Sequence, residues 1–449
     1  MKNSLLNKSE GMKSVIASLV SIFAGLLVGS LIVLIVGLTS SKISGARIWD
    51  GIRLIFIGLF CTGRDGATLT WGFNPSAFGN MLFRATPLIM TGLSVALAQK
   101  TGLFNIGAPG QYLMGTMTTL AIALSIPYGT LPGWVIWLLA FLGGCLAGAL
   151  WGAIPGMLKA FLNINEVIAC IMTNWIAANL VTWFFDASNF KNIVENTKSG
   201  YVYMTTYGLT NVDGTMTYVK GNGVATVKLG LDKIFTGSQV NGGIIIAILI
   251  AVAVYILINK TTFGFQLKAC GSNRHAARYA GIKDKLNIVY SMAIAGALSA
   301  AGASLYYLAG NTELFWSTYQ SLPAVGFNGI AVALLAVNNP IAVIFSGCFM
   351  SMLNIVGQRL TELTPYNEYI TDVIVATIVY LSAFALLIRT LMSGRKKKET
   401  KVEEKPAPAE DPAAIPAAEE ASAAVPAEND NTAAVPAAEE NAEKGGAEA

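Results

Sequence analysis

A short polar interruption between two apolar stretches constrains this chain more than any other feature. Residues 102–111 read GLFNIGAPGQ, and the flanking stretches 87–98 and 112–127 are largely apolar and uncharged. Irregular backbone at membrane depth is tolerated only where it is buried in protein or lines a wet cavity. The segment therefore predicts a broken helix inside a membrane-embedded bundle, a device that recurs along solute pathways.

The composition is that of a membrane protein. Hydrophobic residues make up 54% of the 449 residues and charged residues only 12%, whereas a soluble domain has about 25% charged residues. A helical span needs about 20 apolar residues. We predict an all-α polytopic membrane protein with about ten transmembrane helices, at residues 14–38, 81–99, 103–126, 134–158, 166–185, 240–259, 287–309, 322–337, 341–357 and 371–392.

Three apolar segments depart from this simple pattern. Segment 14–38 is longer than the apolar core of a signal peptide, which is about 7–15 residues, so we expect a retained span. Segment 322–337 is short and flanked by polar residues, which leaves a re-entrant helix as an alternative to a span. Segment 51–61 is too short to cross, and we expect it to lie along the outer face or dip into it.

Lysine and arginine in short loops mark the cytoplasmic side of a membrane protein. Segment 1–13 contains three lysines, and loop 260–286 and cluster 395–398 are also basic. Alternating spans place all three on one side. We therefore predict a multi-pass protein of the plasma membrane, with both termini cytoplasmic and the membrane domain at 14–392. The same scheme puts Arg47, Arg53 and Arg64 on the outer side, where the rule disfavours them.

Two segments lie apart from the spans. Loop 186–239 falls outside in this scheme, and its stretches 215–220 and 224–228 flank Gly221-Asn222-Gly223, which predicts a small extracellular β-hairpin. The loop is either a lid over the helix ends or a docking surface for a soluble partner. Segment 393–449 is rich in alanine, proline and glutamate and repeats every ten residues, which predicts a disordered cytoplasmic tail without a direct part in transport.

The sequence offers little chemistry for an enzyme. It contains no phosphate-binding GxxxxGK[ST] loop, no HExxH and no cysteines at metal-ligand spacing, so we expect no catalytic residue, metal site or bound cofactor. Ionisable residues are nearly missing from the spans, whereas proton-coupled carriers use buried acids or histidines as relays. Energy for uphill movement is therefore expected from another subunit. The basic excess is explained by topology and predicts no nucleic-acid binding.

The polar interruption supplies the first candidate site. With Pro109 in the first helical turn, the helix starting near Gly110 would direct its positive end and the Gln111 amide into the bundle, close to Asn105. These groups can bind a polar, uncharged solute. The alternative is that the glycines, Gly107 among them, only allow close helix packing, which does not explain the two amides. Further candidates for the pathway are Asn174 and Asn328.

Segment 269–282 supplies the second candidate site. Ser272 is a good N-cap and Gly281 a good helix stop, which predicts two helical turns between them. Ala276, Ala277 and Ala280 would form a smooth face able to enter a groove of a partner protein. The alternative is an ordinary basic cytoplasmic loop.

Four motifs, in order, resemble the permease subunits of nucleoside-type ABC importers, a branch of the ribose and branched-chain amino-acid permease superfamily. They lie within residues 80–390: GLFNIGxxGQ at 102–111, NEVI with MTN at 165–174, GSN with AA and YAGI at 271–282, and GF with IAVALL at 326–335. The family often has an acidic residue at Pro109 and an aspartate at Asn328. Both departures remove negative charge near the expected pathway.

The resemblance implies a transport subunit that works with several partners. These are a second permease subunit, a cytoplasmic ATP-binding subunit that hydrolyses ATP, an extracellular solute-binding lipoprotein and membrane lipid. The segment that contacts the ATPase would include Gly271, Ser272, Asn273, Ala276, Ala277 and Gly281. The expected solutes are nucleosides or related uncharged ring-bearing molecules, carried by alternating access. A simple-sugar permease is the alternative within the family. Outside it, the alternatives are a self-sufficient channel or secondary carrier, and a non-transporting membrane scaffold that uses its tail for partners.

Overall fold

The computed structural model describes residues 2–383, except 41–43, 128, 193, 201, 203–206, 212, 220–223, 311, 317–320 and 368. The predicted tail at 393–449 lies outside the described residues. The helices are α1 Lys2–Thr39, α2 Gly45–Ile57, α3 Pro75–Lys100, α4 Ala108–Ser125, α5 Gly133–Leu162, α6 Glu166–Ala187, α7 Leu231–Ile234, α8 Gly243–Lys260, α9 Thr262–Ser272, α10 Arg274–Tyr279, α11 Asp284–Tyr307, α12 Ala324–Leu335, α13 Pro340–Leu363 and α14 Tyr369–Ala383.

Seven helices in the described part of the chain are long and apolar enough to cross a membrane: the segment Ile22–Thr39 of α1, and α3, α5, α6, α8, α11 and α13. The chain is therefore a mostly helical polytopic membrane protein. Three of the ten predicted spans fall on other helices. Helix α4 carries Pro109 and Gln111 in its first turn, which makes it more polar, and α12 and the apolar part of α14 are shorter.

Helices α3 and α11 form the centre of the bundle. The spanning window of α3 is 83% buried and that of α11 is 72% buried, whereas that of α5 is only 22% buried. Helix α11 packs closely against α5, because a side chain at Gly296 would overlap the carbonyl of Gly148, and one at Gly152 would overlap the carbonyl of Met292. Small residues at such crossings let two backbones approach within the membrane.

Helices α12 and α13 pack on the other side of α3 through glycines. A Cβ at Gly329 would lie 2.7 Å from the Thr91 side chain, and one at Gly347 would lie 2.6 Å from Ile89. Helix α1 packs against α14 in the same way, where Gly29 faces Ile374. Gly92 also faces Val343, and Gly25 faces Ile378, so α13 runs antiparallel to α3 and α14 runs antiparallel to α1.

Loop 186–239 contains a two-stranded hairpin, but its partner strand was predicted wrongly. Strand β4, Met216–Val219, pairs antiparallel with β3, Tyr207–Thr210, and residues 224–228 form no strand. Thr226 instead donates its backbone N–H to the carbonyl of Leu308 at 2.7 Å and accepts a hydrogen bond from Trp137 Nε1 at 2.9 Å. The segment is therefore held against the helix ends. The predicted turn at 221–223 lies outside the described residues.

A second hairpin follows α2 and was not predicted. Strand β1, Cys61–Asp65, pairs with β2, Thr68–Trp71, across a turn in which Gly66 has φ +54°. Segment 51–61, predicted to lie at the outer face, covers the end of α2 and the start of β1. Two of the three arginines that the positive-side rule disfavours have local partners: Arg64 pairs with Asp50 at 2.7 Å, and the Arg53 guanidinium lies over the Trp49 ring.

Candidate functional site

The polar interruption forms a connection between two helices at the centre of the bundle. Helix α3 ends at Lys100, and α4 begins at Ala108 with Pro109 in its first turn. Gly102 has φ +73°, a backbone conformation that favours glycine, and a Cβ there would lie 3.1 Å from the Cα of Gly271. The glycine therefore allows the connection to contact the last turn of α9.

Two predicted site residues pair directly across the connection. Asn105 Nδ2 donates to Gln111 Oε1 at 2.8 Å, and Gln111 Nε2 donates back to Asn105 Oδ1 at 3.1 Å. Asn105 also accepts from the backbone N–H of Gly107 at 3.1 Å and donates to Ser94 Oγ at 3.0 Å. Asn105 is 0% exposed and Gln111 1% exposed. The two amides fix the start of α4 relative to α3.

Asn174 connects the same turn to α6. Its Oδ1 accepts from the backbone N–H of Gly110 at 2.9 Å, and its Nδ2 donates to the carbonyl of Ile106 at 3.0 Å. Helix α6 is positioned by the side chain of Asn165, which accepts from the backbone N–H of Val167 and caps the helix. One side chain therefore satisfies two backbone groups that the interruption leaves outside helical hydrogen bonding.

Asn328 does not join this network. It lies half-buried on α12, and its amide makes no hydrogen bond to any residue that the structure describes. Helix α12 still touches the start of α4, because a Cβ at Gly326 would lie 2.6 Å from the Cα of Pro109. The structure thus brings Asn105, Gln111 and Asn174 together, with Asn328 on the neighbouring helix.

Two serines that the sequence analysis did not single out complete the surroundings of the connection. Ser94 accepts from Asn105, and Ser299 of α11 donates to the carbonyl of Ala108 at 2.7 Å. Both are fully buried. Serine in a membrane helix often bonds its own backbone, so the sequence carries no clear signal for these contacts between helices.

The chemistry of this centre is hydrogen bonding without charge. Each amide supplies both donors and an acceptor. The described residues contain no group of three or more histidine, cysteine, aspartate or glutamate side chains that could hold a metal ion. Glu166 lies near this centre at the start of α6 and is paired with Lys159 at 3.0 Å. The arrangement suits recognition of polar, uncharged molecules.

The second candidate site differs from its predicted geometry. Ser272 is the last residue of α9, and Asn273 caps α10 by accepting from the backbone N–H of Ala276 at 3.0 Å. The predicted Ser272 cap is therefore wrong. Gly281, with φ +80°, follows the end of the helix. Asparagine is as good a cap as serine, so the two adjacent residues could not be ranked from the sequence.

Only two of the three alanines predicted to form an exposed face are exposed. Ala277 is buried within the chain, whereas Ala276 and Ala280 are exposed and lie one turn apart with Tyr279, which is 95% exposed. Behind this surface, burial is the main cause that raises the pKa of the Cys270 thiol, which keeps it neutral as a packing residue. The exposed face consists of Ala276, Tyr279 and Ala280.

An ion-pair cluster anchors this short helix to α11. Asp284 Oδ2 accepts from Arg274 Nε at 2.6 Å and from Arg278 Nη2 at 3.0 Å. The carboxylate is buried, and Arg278 is more exposed than Arg274. The cluster thus ties α10 to the first residue of α11, one of the two central helices.

Comparison with known proteins agrees with this architecture. Residues 77–383 match a family model described as the permease component of branched-chain amino acid transport systems. The chain is 33% identical over 386 residues to the guanosine ABC transporter permease protein NupP of Bacillus subtilis, covering 85% of this chain and 96% of the relative. It is also 33% identical over 392 residues to the nucleoside ABC transporter permease protein NupB of Lactococcus lactis, covering 87% and 96%.

More distant similarity extends to other transport proteins. The glucose ABC transporter permease protein TsgB13 of Haloferax volcanii is 29% identical over 306 residues, which cover 68% of this chain and 76% of the relative. Each of the first two organisms also has a second, weaker match: NupQ of Bacillus subtilis is 24% identical and NupC of Lactococcus lactis is 23% identical.

Proposed function

The chain belongs to the family of permease components of branched-chain amino acid transport systems, and we propose that it carries nucleosides or related uncharged ring-bearing solutes in an ATP-driven importer. The observation that carries this proposal is the match to two relatives named for guanosine and nucleosides, over 96% of the length of each. The chain is a transport component and not an enzyme. The family predicted from the four motifs is confirmed.

The amide network supports the proposed choice of solute. Asn105, Gln111 and Asn174 are uncharged, buried and hydrogen-bonded. A hydroxyl of a nucleoside can insert into one of their mutual hydrogen bonds at little cost, because it accepts from one amide and donates to the other. We assign these residues and Asn328 to the substrate pathway. During alternating access, Asn105 and Gln111 would pair with each other when the solute is absent, and so close the pathway at the connection between α3 and α4.

The proposed partners follow from the family and from the exposed face of α10. A separate cytoplasmic subunit would bind and hydrolyse ATP, and would dock on Ala276, Tyr279 and Ala280. Movement of α10 would reach α11 through Asp284. A second permease subunit is supported by the two related proteins found in each of two organisms. An extracellular lipoprotein would deliver the solute.

The orientation and full number of spans are part of the same proposal. Both termini would be cytoplasmic, which places α9 and α10 on the ATPase side and both hairpins outside. Helices α4, α12 and α14 would add to the seven candidate spans and complete ten crossings, with α12 open to a re-entrant path. This topology is supported by the two antiparallel pairs, α13 with α3 and α14 with α1.

The decisive experiment is uptake of labelled solutes in cells that lack the gene, with the wild-type gene restored as the control. Guanosine, adenosine, uridine, ribose and glucose are compared. We expect loss of nucleoside uptake alone. Loss of ribose or glucose uptake alone would instead support a simple-sugar permease, the function favoured by the glucose relative. Uptake that persists without ATP or without the ATPase gene would support a channel or secondary carrier.

A further inference from the structure

A cavity that the proposed function does not use lies away from the amide network. A cavity of about 530 Å³ opens between α1, α3, the end of α8, and the turn between α12 and α13. Apolar side chains form most of it, among them Leu19, Phe345 and Phe349, and polar side chains cluster at one end, among them Lys100, Asn338 and Asn339. We refer to it as the Lys100 cavity.

The polar end of the Lys100 cavity contains unused hydrogen-bonding capacity. Lys100 is half-buried, and its ammonium makes no ion pair or hydrogen bond with any residue in the described part of the chain. The Oδ1 atom of Asn338 is buried and also lacks a partner there. A buried polar atom without a partner costs about 1–3 kcal/mol. A ligand with an anionic group and a hydroxyl would satisfy both side chains.

The apolar part of the Lys100 cavity reaches the surface of the bundle. Leu19 on α1 is 58% exposed and Phe345 on α13 is 73% exposed. Both lie on helices with segments of membrane-spanning length and composition, so these side chains face hydrocarbon in a bilayer. The cavity therefore joins a cationic end at the last residue of α3 to a surface that contacts lipid tails.

We propose that the Lys100 cavity binds an anionic phospholipid, with the phosphate at Lys100, a headgroup hydroxyl at Asn338 and an acyl chain along Phe345 and Phe349. Basic pockets between membrane helices commonly bind anionic headgroups. The charge selects anionic over zwitterionic lipid, because the ammonium has no carboxylate of its own in the described residues. The apolar walls favour a lipid over a soluble phosphate.

The position of the Lys100 cavity connects this lipid to the moving parts of the transporter. A Cβ at Gly271 would lie 2.5 Å from the carbonyl oxygen of Lys100 and 2.8 Å from the backbone nitrogen of Gly102. The end of α3 therefore contacts the last turn of α9, which leads into α10. A headgroup held at Lys100 stabilises this contact, so the bound lipid acts as a positive effector of the transport cycle.

The test begins with binding to the purified complete transporter. Native mass spectrometry follows retention of phosphatidylglycerol against phosphatidylcholine for wild type, Lys100→Gln, Lys100→Arg and Asn338→Gly. Glycine suits the φ of +55° at Asn338 and removes the side chain with its amide without straining the backbone. We expect about tenfold weaker retention for Lys100→Gln, as for loss of a charged hydrogen bond, a smaller loss for Asn338→Gly, and retention near wild type for Lys100→Arg.

Lys285→Gln is the matched control, because Lys285 is exposed on α11 and its ammonium lies over the Phe161 ring, away from the cavity. Nanodiscs of phosphatidylcholine with and without phosphatidylglycerol then report ATPase activity and uptake. We expect stimulation by phosphatidylglycerol in wild type and Lys285→Gln, and its loss in Lys100→Gln. Equal lipid retention by wild type and Lys100→Gln would overturn the proposal. Stimulation of phosphatidylcholine nanodiscs by inorganic phosphate would overturn it too, because the occupant would then be a soluble anion.

Discussion

Asn105 and Gln111 exchange two hydrogen bonds across the connection between α3 and α4, at 2.8 and 3.1 Å. The two primary amides form a hydrogen-bonded ring, in which each side chain donates one bond and accepts one. Because both side chains are buried, neither finds water when its partner is removed. The pair is therefore a structural clamp at the point that the proposed function assigns to the solute pathway.

This reciprocity predicts strong coupling between the two residues. Asn105→Ala and Gln111→Ala should each lower the free energy of unfolding by about 1–3 kcal/mol. The first change leaves the buried Gln111 amide without its Asn105 partner, and the second leaves one N–H of the buried Asn105 amide unpaired. The double variant should lose less than the sum of the single losses, with an interaction energy of about 0.5–3 kcal/mol. Denaturant unfolding of the purified protein in detergent measures all four states of the cycle.

Asn179→Ala is the control for this cycle, since Asn179 is exposed on α6 and bonds only the carbonyl of Trp175 in its own helix. It should change the free energy of unfolding little and should leave uptake intact. Additive losses for Asn105→Ala and Gln111→Ala would contradict a reciprocal pair.

The crossing of α5 and α11 gives a second prediction. Gly296→Ala places a methyl group against the carbonyl of Gly148, where only backbone is available to yield. Overpacking of this kind costs about 1–3 kcal/mol or more, so the variant should express poorly and unfold at lower temperature. Gly45→Ala is the control, because the first residue of α2 has open space around its Cβ. Equal thermal stability of the two variants would show that the helices separate easily at this crossing.

Much of the bundle could be predicted from the sequence because long apolar runs identify spans without reference to tertiary contacts. The Asn105 and Gln111 bonds could be anticipated from proximity, but the bonds of Asn174 could not, because they join residues 64 positions apart. The hairpin of β1 and β2 carries an Asp65-Gly66 turn signal that was not used. The pairing of β4 with β3 was not predicted, because an alternating pattern of polar and apolar residues indicates a strand but not the strand with which it pairs.

The exposed face of α10 gives a third prediction. Tyr279→Ala removes a side chain that is 95% exposed, so it should change the stability of the fold little. It should nevertheless reduce copurification of the ATPase subunit. Uptake should fall about tenfold, as for loss of an interface residue worth about 1.4 kcal/mol. Ala277→Trp is the contrasting variant. Because Ala277 is buried, this change should lower thermal stability as well as association. Unchanged ATPase association for Tyr279→Ala would exclude this face as the docking surface.

The ion pairs of Asp284 give the last prediction, which ranks two arginines. Arg274 lies 2.6 Å from the carboxylate with a side chain 30% exposed, whereas Arg278 lies at 3.0 Å and is 59% exposed. Exposed pairs contribute about 0–1 kcal/mol because water and salt screen them. Arg274→Gln should therefore reduce the coupling of ATP hydrolysis to uptake more than Arg278→Gln does. Asp284→Asn should reduce this coupling most, because both guanidinium groups then lose their carboxylate. The ratio of solute transported to ATP hydrolysed in proteoliposomes measures this coupling. An equal ratio in all three variants and wild type would mean that α10 transmits its movement to α11 through backbone packing alone.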